Sequence, residues 1–314
     1  MNLNLTLASD LIFRHSEFER LLSRGSITFE SASYNSLVCR DFGIQKKIDF
    51  PVASIESFNT KSSSNNYIFN ATPCYFSLQK DYYKYEKNLE KDLLYNELQE
   101  LCKQLNSNFL DSHQSFFIEN SKLFFQSNKN NNVGTYFPEE INQIEERRFL
   151  PYGKDALKWH SLINEIQMYL HSAPINEIRM DMNKLPINSI WFSGGGVFPE
   201  NIKSPFSRTV ISNSNLINKL SLITSNFKVA EPKVDIKKFL NEIDHIYYEL
   251  PKNNDNKDLF LSVVSEWLNE GVISTINIRI CIGNVCLNNN IDKFSKLKFW
   301  KKNISLDKIF NEYS

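Results

Sequence analysis

Apolar residues recur along this chain with two different periods, and the switches between them mark out its elements. Leu3, Leu5 and Leu7 alternate with polar residues, which predicts a first strand ending near Ser9 and Asp10. Glu17 to Arg24 reads as a helix with Phe18, Leu21 and Leu22 turned inward. Between Ser31 and Asn66 the pattern dissolves into Ser and Asn with short apolar pieces, a loop-rich region with helical turns in places. Tyr67 to Phe69 and Cys74 to Leu78 read as strands around Asn70 to Pro73. Leu94, Leu98, Leu101 and Leu105, spaced by 4, 3 and 4, predict an amphipathic helix over Glu86 to Leu105. Ser115 to Ile118 and Leu123 to Phe125 flank Asn120-Ser121, a β-hairpin pattern, and Gln126 to Asn132 is a polar loop.

The stretch from Pro151 to Glu200 is the most sharply patterned. Trp159, Leu162, Ile163, Ile166, Tyr169 and Leu170 share one arc of a helix at about 100° per residue and form a core-facing stripe. His160, Asn164, Gln167 and His171 form a second stripe beside it, while Lys158 and Glu165 fall on the far side. Neutral donors and acceptors beside an apolar face suit a helix bordering a crevice; the bland reading is a solvated flank. Pro174 predicts a stop near Ser172, Asn176 can cap a second helix from Glu177 to about Asn183, and Pro186 ends it. Ile187 to Phe192 reads as a buried strand, followed by Ser193, Gly194, Gly195 and Gly196. Glycines after a buried strand let main-chain N–H groups approach a ligand, or simply turn the chain. No Lys-Ser or Lys-Thr follows, and Pro199 arrives too early for a dinucleotide-binding helix.

In the C-terminal part, 204–225 is weakly amphipathic and Ile236 to Ile243 reads as a helix or its beginning. His245 to Leu250 is a strand closed by Pro251, and Asn253 to Asn256 a turn. Leu259, Phe260, Val263, Val264, Trp267 and Leu268 mark a helix that Gly271 is placed to end. Ile276, Ile278, Ile280 and Ile282 alternate with polar residues and Cys281, and Gly283-Asn284 is a two-residue hairpin turn. That turn sets Cys281 opposite Cys286, where a disulfide is sterically open and two thiols are the expected state.

Composition narrows the class. The 36 basic and 36 acidic residues leave no global field for DNA or an anionic membrane. A hydrophobic fraction of 41% with 24 Phe supplies a core. No apolar run approaches membrane length, Met1 to Asp10 lacks a signal-peptide pattern, and five Cys suit a reducing cytoplasm. Lys293, Lys296, Lys298 and Phe299-Trp300-Lys301-Lys302 could meet single-stranded nucleic acid, but in a neutral chain a packed aromatic pair with snorkelling lysines is preferred. These readings predict one α/β domain over 1–314, with a subdivision near 126–150 as an alternative. Its central sheet is expected to be mixed and largely parallel, with flanking helices and a C-terminal β-hairpin.

The segments NEIQMYLH (Asn164 to His171), PIN (Pro174 to Asn176) and LPINSIWFSGGG (Leu185 to Gly196) resemble the bacterial RpfE-type regulatory proteins. Members of that family typically read N-E-x-Q-M-x-L-H, then P-V-N, then P-V-N-S-x-W and a glycine cluster. The resemblance is tight over roughly 50 residues and looser on both sides. Such proteins are often labelled cofactor-independent phosphoglycerate mutases, so the resemblance implies a regulatory protein or a phosphate-handling one.

A cofactor-independent mutase needs two metals held by several Asp and His, with a Ser or Thr nucleophile. Five His are present (His15, His113, His160, His171 and His245), with no metal-ligand spacing between them. Asp10 stands where such enzymes keep a ligand, but one carboxylate is not a site. His160 and His171 would lie roughly 16 Å apart along a helix. The resemblance then leaves room for a divergent alkaline-phosphatase-like core without its catalytic set, and no metal or cofactor is expected. Ser193 lacks the G-x-S-x-G context of a hydrolase nucleophile. Three readings stay open: a small-molecule-binding or regulatory protein, a phosphate-handling enzyme, and a scaffold for a protein partner. In the first, Asn164, Gln167 and His171, with Asn176 and Asn188, meet the Ser193 to Gly196 loop. In the last, Asn176 and Asn188 bond backbone groups.

Overall fold

The N-terminal alternation is realised as β1 (Asn2–Ser9), in which Leu3, Leu5 and Leu7 are fully buried. In this computed structural model the structure describes residues 2–9, 12–58, 66–79, 83–109, 113–129, 131–141, 149–231, 242–250, 254–270, 273–292, 294–298 and 300–312. Two compact units emerge: Met1–Gly43 with Ile202–Ser314, and Ile44–Asn201 between them in sequence. The first unit opens with β1, α1 (Ser16–Leu22), β2 (Ser26–Ser31) and α2 (Tyr34–Asp41). The second unit supplies α3 (Val52–Glu56), β3 (Tyr67–Leu78), β4 (Tyr83–Asn88), α4 (Tyr95–Phe109), β5 (Gln114–Glu119), β6 (Lys122–Ser127), α5 (Ala156–His171), α6 (Pro174–Asp181) and β7 (Ser189–Gly196). The first resumes with β8 (Thr209–Ser212), α7 (Asn215–Thr224), β9 (Lys228–Ala230), β10 (Ile243–Glu249), α8 (Asn254–Asn269), β11 (Thr275–Ile282), β12 (Val285–Ile291) and α9 (Leu306–Asn311). The 126–150 segment lies inside the second unit.

The first unit is built on a seven-stranded sheet in the order β2-β12-β11-β1-β10-β8-β9. The pairs β11·β1, β1·β10, β10·β8 and β8·β9 are parallel, whereas β12 pairs antiparallel with both β11 and β2. This is the mixed, largely parallel α/β architecture with a C-terminal hairpin. On one side Leu3, Leu5, Leu7, Ile276, Ile278 and Ile280 join Phe18 and Leu21 of α1 and Val264 and Trp267 of α8 in one core. Each buried aliphatic side chain of this kind contributes about 1.5–3 kcal/mol. Gly283, at φ +61°, closes the β11–β12 hairpin. The register sets Cys281 against Cys286 as two buried thiols, their sulfurs 3.4 Å apart.

The second unit has a five-stranded antiparallel sheet, β4-β3-β6-β5, with β7 also on β3. Here several local expectations are corrected. Tyr67–Leu78 is one strand and not two, because Asn70 to Pro73, turn-prone alone, pairs with β7 and its ends pair with β6 and β4. Tyr83–Asn88 pairs with β3 as a strand, so the helix expected from Glu86 begins only at Tyr95, with Glu97 accepting from the Leu94 N–H at 2.8 Å. Pro174, and not Asn176, opens α6, since its fixed φ suits the first helical position. In the first unit, α8 starts at Asn254, inside the expected turn. Ile243 opens a strand; the rest of the helix expected from Ile236, up to 241, lies outside the described residues, as do Asp10 and Gly271. Elsewhere the pattern holds: α5 buries Trp159, Ile163, Ile166 and Leu170, and Asn120 and Ser121 turn the β5–β6 hairpin with positive φ.

Candidate functional site

A largely parallel sheet is usually covered on both faces, and its central strands read as continuous apolar runs. Here the central strands alternate. The residues pointing away from the core form two polar rungs: Ser26, Asn290, Asn277, Asn4 and His245, and then Thr28, Asn288, Arg279, Thr6 and Tyr247. All of these but Thr6 floor a cleft of about 430 Å³, walled by Asp41 at the end of α2 and by Pro205 and Phe206. That volume falls in the range of small-molecule sites. Exposure grades across the rungs, from open Ser26, Thr28 and Asn290 to buried Thr6, His245 and Tyr247. Asn277 donates to Asn4 Oδ1 at 3.0 Å, and Asn288 donates to Glu30 at 3.2 Å.

The buried end is a connected network. Arg279 grips Asp41 with both terminal nitrogens, Nη1 to Oδ1 at 3.0 Å and Nη2 to Oδ2 at 2.5 Å, the bidentate form of a charge-assisted pair. Tyr247 donates its hydroxyl to the same Asp41 Oδ2 at 2.5 Å, and Arg279 Nε donates to Thr6 Oγ1 at 2.9 Å. His245 Nε2 lies 2.8 Å from Thr6 Oγ1, and its ring stacks on Tyr247 with centroids 4.0 Å apart. Burial, then the charge of Arg279, holds the His245 imidazole well below its ordinary range, so it is neutral. Burial and the neighbouring Asp41 carboxylate raise the Tyr247 hydroxyl, which stays protonated as a donor. Glu30, beyond Asn288, stays ionised: burial works against its charge, but the hydrogen bonds and charge of Arg40 and Asn288's amide outweigh it.

Thr6 against His245 has the spacing of a nucleophile and its base. Thr6, however, is fully buried beneath Arg279 and His245, so its hydroxyl braces the floor and does not meet a substrate. Among the described residues no group of three or more His, Cys, Asp or Glu is arranged to hold a metal ion. The cleft can hydrogen-bond a ligand through its amides and hydroxyls.

The residues singled out in 164–196 lie in the second unit and are dispersed. Asn164 and His171 are exposed on α5, and Gln167 donates to Ser189 Oγ at 3.1 Å. Asn176 is buried, donating to the carbonyls of Leu170 and Ile187 and accepting the Ile187 N–H, each at 2.7 Å. Asn188 accepts from Phe76 N at 2.8 Å and donates to Phe76 O at 2.7 Å, prolonging the β3–β7 ladder with its side chain. Ser193 to Gly196 is not a loop: it is the buried end of β7, paired to β3. A Cβ on Gly195 would stand 2.1 Å from the Phe69 ring, and one on Gly196 2.5 Å from Pro51 Cβ. Gly194 has φ +61° with Val52 close by. The glycines thus admit neighbouring segments, not a ligand, and the void beside β7 measures about 10 Å³, room for a single water. The cleft residues carried a sequence signal in the alternation of Leu3 to Leu7 and Ile276 to Ile282; what was missing was the register that aligns their polar partners.

No protein-family model matches this sequence, and no curated protein matches it. Among solved structures, the chain is similar to the cofactor-independent phosphoglycerate mutase from Thermoplasma acidophilum at 11% identity and a TM-score of 0.38, over 92% of this chain and 89% of that one. It is similar also to the PH0037 protein from Pyrococcus horikoshii at 12% identity and a TM-score of 0.45, over 92% and 87% of the two chains. Similarity this distant leaves ligand and chemistry to be read from the cleft itself.

Proposed function

We propose that this chain is a small-molecule-binding protein whose ligand lies over β1, β10, β11 and β12. The observation that carries the reading is the polar floor on β1, β10 and β11, whose mutual pairings are parallel and where apolar side chains would otherwise pack. The resemblance of 164–196 to RpfE-type proteins supports a regulatory use of such binding, although Asn176 and Asn188 within it brace α5, β3 and the start of β7. A thermal-shift and calorimetry panel of sugars, nucleosides, nucleotides, phosphorylated metabolites and divalent ions tests the reading, since a ligand raises stability by mass action. Asn277→Leu with Asn290→Leu should weaken the best ligand at least tenfold. Asn164→Ala with His171→Ala should leave it unchanged; the reverse outcome would move the site to α5.

A phosphate-handling enzyme is the second reading, favoured by the Arg279 guanidinium on the cleft floor. Phosphatase and mutase assays with added Mg or Mn decide it: turnover that Arg279→Gln abolishes would displace the binding reading.

A further inference from the structure

We infer that the cleft selects uncharged ligands rich in hydroxyl or amide groups, and that Asp41 is the residue enforcing that choice. The inference rests on the cleft being a ligand site, and it concerns what the site refuses. Asn4, Asn277, Asn288 and Asn290 present carboxamides, which donate and accept without charge. Ser26 and Thr28 add hydroxyls at the open edge. The cation among the lining residues is Arg279, and Asp41 occupies it from both terminal nitrogens. Asp41 is itself fixed by the Tyr247 hydroxyl, so the carboxylate cannot swing away without leaving that donor unpaired. Glu30 sets a second carboxylate beside Asn288, matched by Arg40 at 2.7 Å. A phosphate or carboxylate reaching this floor would stand against Asp41 and meet a guanidinium whose charge that carboxylate already balances. A sugar, polyol or nucleobase would exchange its water hydrogen bonds for those of the asparagine rungs without setting a charge against Asp41.

The same geometry names the switch. Asp41→Asn keeps the shape and one acceptor but removes the charge, leaving the guanidinium as an anion site. Inorganic phosphate is the probe, titrated by calorimetry and thermal shift at constant ionic strength into the wild type, Asp41→Asn, and Asp41→Asn with Arg279→Gln. The wild type should not respond. Asp41→Asn should bind phosphate at least tenfold more tightly than the wild type, and the double variant should lose that gain. Equal phosphate binding by the wild type and Asp41→Asn, with circular dichroism showing the variant folded, overturns the inference. Should the variant not fold, the wild type decides alone. Compounds that differ only by a phosphate, such as a nucleoside and its monophosphate, should then bind at least tenfold apart in favour of the uncharged member; equal or reversed affinity overturns it. The two failures separate cleanly. A panel without any uncharged ligand defeats the binding reading, while phosphate uptake by Asp41→Asn that Arg279→Gln removes still upholds the charge gate.

Discussion

Asn176 shows how one side chain joins three elements. Its amide bonds the last turn of α5 through the Leu170 carbonyl and both main-chain groups of Ile187 just before β7. Removing it leaves buried main-chain groups unpaired, so Asn176→Ala should cost about 2–4 kcal/mol in a urea titration. Gly195→Ala should cost about 1–3 kcal/mol by overpacking, because the Phe69 ring in its way is itself wedged against Trp159 at 4.3 Å between centroids. Near-zero effects at both positions would remove the structural explanation of this motif. In the sequence, Asn176 was readable either as a cap and ligand contact or as a brace for backbone. Only the fold of α6 back onto Ile187 separates the two, and no local pattern encodes that.

At the scale of elements, the short turn Pro138–Glu140 carries a pH dependence. Glu140 Oε2 accepts the Phe137 N–H at 2.6 Å, yet burial, partly offset by that bond, and then the charge of Asp49 push its carboxyl up from 4.5 to about 7. Between those values the folded turn holds a proton that the unfolded chain has released. Stability from this group is therefore full below about pH 4.5 and lost as pH rises through about 7. Denaturation midpoints should fall across that window, and Glu140→Gln should flatten the fall; an unchanged slope in the variant would refute the assignment. Elements themselves were largely legible where burial is one-sided, as in β1, β11 and α5. They were misread where tertiary pairing overrides local preference, as in Asn70 to Pro73, held extended by β7. The cleft was illegible for a different reason: its floor joins β2, β12, β11, β1 and β10, and only their register sets Asn4 beside Asn277.

For the whole molecule, the division into units makes its own prediction. Ile44–Asn201 has its own antiparallel sheet and its own core around Phe69, Phe125, Trp159 and Ile166, so this fragment should fold cooperatively when expressed alone. A fragment that stays unfolded would favour a single cooperative domain over 1–314. Among the described residues no helix is long and apolar enough to cross a membrane. The central claim, that a ligand is held on asparagine rungs over the first unit's sheet, is tested most directly by the side-chain amide signals of a ¹⁵N-labelled protein titrated with uncharged sugars and nucleosides. The amides of Asn4, Asn277, Asn288 and Asn290 should shift together and saturably, with Asn164, Gln167 and the Gly194–Gly196 main chain unmoved. Shifts confined to 164–171 and 193–196, or a saturable ligand that leaves all four asparagines unmoved, would contradict it.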